Sequence, residues 1–142
     1  MQVFVVGTPL ETAMALDPRR LNKQIIECQQ ILDALNGAKA WSNHPCVLQY
    51  RGYEKWLRNY LRVLHNWHTG GVPHHFYNDM ANKSRPPFHA QEYFDQMKRR
   101  LYTKDKEHYS QWANLGESEI NWYFVDNEWR YYKNGKRVKE SI

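Results

Sequence analysis

Apolar residues spaced three and four apart along most of the chain give way near its end to aromatic runs separated by turn residues. This predicts helices followed by a small β element. The opening Met1 to Pro9 is short, apolar and extended in character, ended by Gly7 and Pro9. The first strong helix begins at Asp17-Pro18, an N-cap followed by proline at the first helical position, and stops at Asn36-Gly37. Between them Leu21, Ile25, Cys28, Leu32 and Leu35 form one apolar stripe. A polar connector from Ala38 to His44 leads to Pro45, which opens a second helix carrying Tyr53, Trp56, Leu57, Tyr60, Leu61, Leu64 and Trp67. Gly52 kinks this helix or marks its true start, and Gly70-Gly71 ends it. Val72 to Pro87 reads mostly as loop. A third helix is expected from about Phe88 to Tyr102, with Tyr93, Phe94, Met97 and Leu101 inward, and a short helical piece around Lys106 to Ala113. In the tail, Trp122 to Val125 and Trp129 to Tyr132 are separated by Asp126-Asn127 and followed by Asn134-Gly135. That reads as a hairpin or meander, or as an irregular aromatic tail packed on helices. The expected fold class is mainly α: a compact single-domain helical bundle over 1–142, with a helical core at 1–115 and an aromatic, basic tail at 116–142.

At 142 residues the chain suits one domain with a real core. No run of 18 apolar residues exists, which excludes a helical membrane span. The N-terminus has no basic lead-in, and its apolar stretch from Val3 to Val6 is too short for a signal peptide. The two cysteines, Cys28 and Cys46, make neither a disulfide framework nor a zinc module and read as free thiols in the cytoplasm. Net charge is +5, and its positive part is clustered: Arg19, Arg20 and Lys23; Lys98, Arg99 and Arg100; and Arg130, Lys133, Lys136, Arg137 and Lys139. Aromatic residues, 15% of the chain, interleave with these clusters. Cations that hold phosphates beside rings that stack on bases favour a nucleic-acid partner.

Glu27 lies on the flank of the first helix, with Arg20, Lys23 and Gln24 on the same flank one or two turns earlier. A carboxylate beside cations is either a general acid/base near phosphates or an ordinary surface ion pair. His65, His68, His74 and His75 lie near one another in sequence but lack the order of a zinc-binding helix, so no metal is expected. Neither a glycine-rich phosphate loop nor a serine-nucleophile elbow is present. Cys28 falls on the buried stripe and is expected to be inert, whereas Cys46 stands near a helix start that lowers thiol pKa values.

Several stretches, taken in order, carry a resemblance. They are Leu16-Asp-Pro-Arg-Arg-Leu-Asn-Lys-Gln through Glu27 and Ile31-Leu32, then Asn43-His-Pro, then Arg51-Gly-Tyr-Glu, then Pro86-Pro87 with His89, and finally Lys104-Asp-Lys-Glu-His-Tyr. Together they resemble the pyrimidine-dimer DNA glycosylase/AP lyase family, the phage endonuclease V type and its bacterial relatives. The tail from Glu128 to Lys136 is loosely similar to the aromatic, basic C-terminus of the phage enzymes.

The resemblance implies a single all-α domain that cuts the glycosidic bond at a pyrimidine dimer and then breaks the backbone at the abasic site. It implies an N-terminal α-amino nucleophile and one catalytic carboxylate on the first long helix, which Glu27 matches. An α-amino group in general has a pKa of about 7.7–8.0, so much of it is neutral near physiological pH. Such an amine attacks the sugar C1′ and forms an imine, and the carboxylate then removes the acidified C2′ proton. Neither metal nor cofactor is required. The sequence departs from the phage pattern at Gln2, whose bulk disfavours removal of Met1, and at Ile26, where the phage enzymes carry a basic residue. Candidate nucleophiles are therefore the amine of Met1, that of Gln2, and Lys23. The candidate contacts to double-stranded DNA are Arg19, Arg20, Gln24, Arg51, His44 and His89, with Trp129, Tyr131 and Lys133 from the tail. The chain is expected to act as a monomer without a membrane. The alternatives are a non-catalytic DNA- or RNA-binding module of the same fold, and a protein-interaction domain with an aromatic docking tail.

Overall fold

The fold is seen in a computed structural model that describes residues 1–70 and 84–141. The first part of the loop read over Val72 to Pro87, with His74 and His75, lies outside the described residues. The chain divides into two units, Met1–Pro87 and Phe88–Ile142.

In the first unit, helix α1 spans Pro9–Ala15. Pro9 therefore opens a helix rather than closing the extended opening. The signal lies in Thr8 and Glu11, which form a capping box: the Thr8 hydroxyl accepts from Glu11 N–H at 3.1 Å and the Glu11 carboxylate from Thr8 N–H at 3.0 Å. Helix α2 spans Pro18–Leu35, capped by Asp17 and followed by Gly37 in the left-handed region, where the sequence places its ends. Its buried face is Leu21, Gln24, Cys28, Ile31 and Ala34. Ile25, Leu32 and Leu35 of the expected stripe are only half-buried. A polar residue, Gln24, sits where a purely apolar face was expected.

The second helix of the sequence reading is two. Helix α3, Pro45–Tyr50, and helix α4, Glu54–Thr69, are separated at Gly52, whose φ of 91° is costly for any residue with a Cβ. Helix α4 buries Trp56, Leu57, Tyr60, Val63 and Leu64. Tyr50, Trp56 and Tyr60 form a buried ladder of parallel rings, with centroids 5.9 and 5.0 Å apart. The helices pack pairwise, α2 and α1 on α4 and α3 on α2. Residues 1–5 take neither helix nor strand. Val3 and Val5 are nevertheless fully buried, each burial worth about 1.5–3 kcal/mol. The core is thus built around an extended segment as well as between helices, which is why a plain bundle does not describe it.

In the second unit, helix α5 spans Gln91–Lys104 and buries Tyr93, Gln96, Met97 and Leu101. A 3₁₀ helix, Ser110–Leu115, follows in place of the short helical piece expected around Lys106 to Ala113. Helix α5 is joined to the segment after it by side chains: Gln96 Nε2 donates to Ser118 Oγ and Ile120 O, both at 2.8 Å, and Arg100 Nε to Asn121 Oδ1 at 2.9 Å. The tail is a three-stranded antiparallel sheet, β1 Asn121–Val125, β2 Glu128–Lys133 and β3 Lys136–Val138, in the order β1-β2-β3. Both corners have positive φ at both central residues, Asp126-Asn127 and Asn134-Gly135, the backbone of two-residue type I′ turns. The meander reading holds, and the irregular-tail alternative does not. The fold is therefore mainly α, not all-α, because this aromatic stretch carries hairpin turns instead of helical spacing. Among the described residues no helix is long and apolar enough to cross a membrane.

Candidate active site

Helices α1 to α4 each hold the N-terminal segment. From α2, Gln24 Nε2 donates to Gln2 O at 2.9 Å, and Gln24 Oε1 accepts from Phe4 N–H and, at 3.2 Å, from the Tyr60 hydroxyl of α4. The Tyr60 hydroxyl also donates to Phe4 O. From α1, Thr12 Oγ1 accepts from Val6 N–H at 3.0 Å. From α3, the Cys46 thiol is hydrogen-bonded by the Val3 main chain. Only 2% of Gln24 is exposed, so its amide acts in a dry setting where unmade hydrogen bonds are costly.

This clamp brings the N-terminus to Glu27. Gln2 N–H donates to Glu27 Oε2 at 3.3 Å. The other carboxylate oxygen lies 3.7 Å from Lys23 Nζ, in a pair where the lysine side chain is 70% exposed and the glutamate side chain 15%. His44 completes the group. It caps α3, and its Nδ1 accepts from Cys46 N–H at 3.1 Å. An acceptor Nδ1 leaves the proton of the neutral ring on Nε2.

The His44 pKa is lowered, first by burial and then by the N-terminal ammonium. The same ammonium acts to lower that of Cys46, but burial outweighs it and pushes the thiol up to about 12. Burial also raises Cys28, helped by Cys46 and Glu27. The expected activation of Cys46 by its helix start is therefore overturned, and both thiols are buried. The amine is thus electrostatically close to His44 and Cys46, while Gln2 N–H reaches Glu27. An NMR titration should find His44 protonating below the ordinary 6.5. Acetylating the N-terminal amine should raise that value partway, because the ammonium contribution goes and burial stays. Since the folded value is the lower one, this histidine's contribution to stability is full above about pH 6.5 and is lost as pH falls through the folded value.

The other candidates are spread more widely. Arg19 and Arg51 are exposed. Arg20 is held by Asp17 at 3.2 Å. In the second unit His89 is 2% exposed, stacked on Tyr93 at 5.6 Å and edge-on to Phe88. Trp129 is the hub of an aromatic cluster, stacked on Tyr93 at 5.7 Å and edge-on to Phe124 and Trp122. Tyr131 meets Trp122 edge-on across the strands, and Lys133 pairs with Glu119 at 3.8 Å. Within the first unit, Gln2, Lys23, Gln24 and Glu27 are joined by hydrogen bonds and an ion pair, and His44 feels the charge of the Met1 ammonium.

Two features escaped the sequence reading. Gln24 works as a clamp, for which a buried glutamine offers no periodic signal. Trp41, in the connector before His44, is 50% exposed and has φ of 65°, a left-handed backbone that costs a residue with a side chain roughly 1–2 kcal/mol. Its ring stands edge-on to His44 with centroids 5.9 Å apart.

A family model described as pyrimidine dimer DNA glycosylase matches residues 1–74, just over half of the chain. No curated protein and no solved structure matches it. The matched stretch contains the whole N-terminal clamp with Glu27 and His44. The chain belongs to the pyrimidine dimer DNA glycosylase family.

Proposed function

We propose that this chain is a DNA glycosylase with AP lyase activity that uses an amine at its N-terminus and the Glu27 carboxylate. Family membership carries DNA glycosylase function of the pyrimidine-dimer type in general; the amine, the carboxylate and the lyase step are our reading. The observation that supports it best is the 3.3 Å hydrogen bond from Gln2 N–H to Glu27 Oε2, which ties the start of the chain to a carboxylate.

The chemistry runs in two stages. The neutral amine attacks C1′ of the damaged nucleotide, the glycosidic bond breaks, and the base departs with its electron pair and takes up a proton. The C1′–nitrogen adduct loses a proton from nitrogen and the sugar ring opens at the C1′–O4′ bond, O4′ taking up a proton, to leave an imine. Glu27 removes a C2′ proton, the electrons form a C2′–C3′ double bond, and the C3′–oxygen bond to phosphate breaks. With Met1 in place, the nucleophile is its α-amine, one residue from the nitrogen that meets Glu27. With Met1 removed, the Gln2 nitrogen itself is the amine at that position. Arg19, Lys23 and Arg51 supply phosphate contacts, with Arg20 behind them on Asp17, and His44 faces the sugar. Trp129, Tyr131 and Lys133 add contacts from the tail. A damaged base stacks poorly and is cheaper to displace, which favours lesions over intact DNA.

The test is incubation with duplexes carrying one cyclobutane dimer or one abasic site, with and without borohydride. Strand cleavage and a covalent adduct, both abolished by blocking the N-terminal amine, are expected. Salt-sensitive binding with neither product would instead support a non-catalytic DNA- or RNA-binding module, the reading that Gln2 favours through poor removal of Met1.

A further inference from the structure

Among the described residues three large apolar side chains stand exposed, Met14, Ile26 and Trp41. Two of them are neighbours of candidate site residues. Ile26 immediately precedes Glu27, and the Trp41 ring touches His44, the imidazole that senses the N-terminal ammonium. Trp41 is the unusual one. An exposed indole forfeits the burial that normally repays so large a ring, and this one is also held in a left-handed backbone that a glycine or asparagine would adopt more cheaply. Trp41 O accepts from His44 N–H at 2.9 Å, so the turn that presents the ring is fixed to the cap of α3 and is no loose tip. Half of the residue faces water.

A half-bare ring held edge-on to His44, on whose imidazole the N-terminal ammonium acts, suits a flat, apolar partner. In the reaction proposed above, on which this inference rests, the sugar C1′ must be reached through a disrupted base stack, and an unstacked base exposes such a face. We infer that Trp41 is the base-stacking residue of this site, its indole packing on a nucleobase left unpaired at the lesion. Ile26, the residue before Glu27 on α2, is 53% exposed. The role belongs to the ring's π face: phenylalanine should preserve it and leucine, of comparable apolar bulk, should not.

The test uses a duplex with 2-aminopurine opposite a tetrahydrofuran abasic analogue, titrated with the intact protein and with Trp41→Phe and Trp41→Leu. The wild-type chain is expected to quench the 2-aminopurine on binding, and Trp41→Phe to keep most of the quenching. Trp41→Leu should lose it and bind roughly 5- to 150-fold more weakly, the range of one lost base–aromatic stack. The Tm of all three should agree within about 5 °C, because a half-exposed ring contributes little to the core. A leucine variant that quenches and binds like wild type overturns the inference, and so does a wild-type chain that leaves the fluorescence unchanged. Borohydride trapping on a natural abasic duplex, run in parallel, reads the amine chemistry separately. Trapping lost with quenching intact defeats the lyase reading and leaves the stacking role standing; quenching lost with trapping intact does the reverse.

Discussion

Replacing Glu27 by glutamine is expected to lower strand cleavage at abasic sites by about 10²–10⁴-fold, the usual contribution of a positioned proton acceptor. The fold should survive the change. The glutamine side chain keeps the shape and an oxygen that can accept from Gln2 N–H, now 3.3 Å from the carboxylate. The pair with Lys23 is also lost, but that lysine is 70% exposed, and such pairs are worth at most about 1 kcal/mol. Removing a negative charge near phosphates should leave DNA binding equal or tighter. The assay is single-turnover cleavage of an abasic duplex beside a binding titration on the same oligonucleotide. Cleavage within a few-fold of wild type would remove Glu27 from the chemistry.

The second large effect is expected at Gln24, which is buried. Gln24→Leu keeps most of the side chain's bulk and deletes its bonds to Gln2 O, Phe4 N–H and the Tyr60 hydroxyl. Tyr60 still has Phe4 O to donate to. The Phe4 N–H and Gln2 O are then left in a dry interior, at about 1–3 kcal/mol each. A loss of roughly 2–5 kcal/mol follows, or a Tm lower by on the order of 10 °C. Cleavage should fall too, by about 10²-fold, because a displacement of about 1 Å in a reacting group costs that much. This loss should appear well below the lowered Tm, where the variant is folded. A Gln24→Leu protein that melts and cleaves like wild type would mean that the N-terminus is positioned by other contacts.

These two residues also mark how far the sequence could be read. Glu27 becomes a candidate through the motif around it, which resembles a family pattern; a carboxylate one turn from Lys23 reads by itself equally as a surface ion pair. The ends of α2 were legible from Asp17-Pro18 and Asn36-Gly37, and the sheet from its two paired turn dipeptides. Gln24 was read as a DNA contact because polar residues on a basic flank usually face outward. Its burial depends on where residues 1–5 run, and a segment without periodicity does not announce that it will be threaded through a core. The same cause rotated the buried face of α2 away from Ile25 and Leu32 toward Gln24 and Ile31. Helix α1 hides for a different reason: Pro9 after Gly7 reads as a terminator, although Thr8 and Glu11 around it form a capping box. The Cys46 thiol was read from its helix start alone, and burial, which sequence position does not reveal, decides its pKa instead.

In the proposed reaction the chain's own N-terminal amine, with Gln2 N–H on Glu27, forms the covalent link to DNA. The most direct measurement is borohydride trapping on an abasic duplex, followed by proteolysis and mass spectrometry of the cross-linked peptide. The adduct is expected to map to the N-terminal residue, Met1 or a newly exposed Gln2, and to vanish when that amine is blocked. An adduct on Lys23, or none at all from a protein that still binds the duplex, would contradict that reaction.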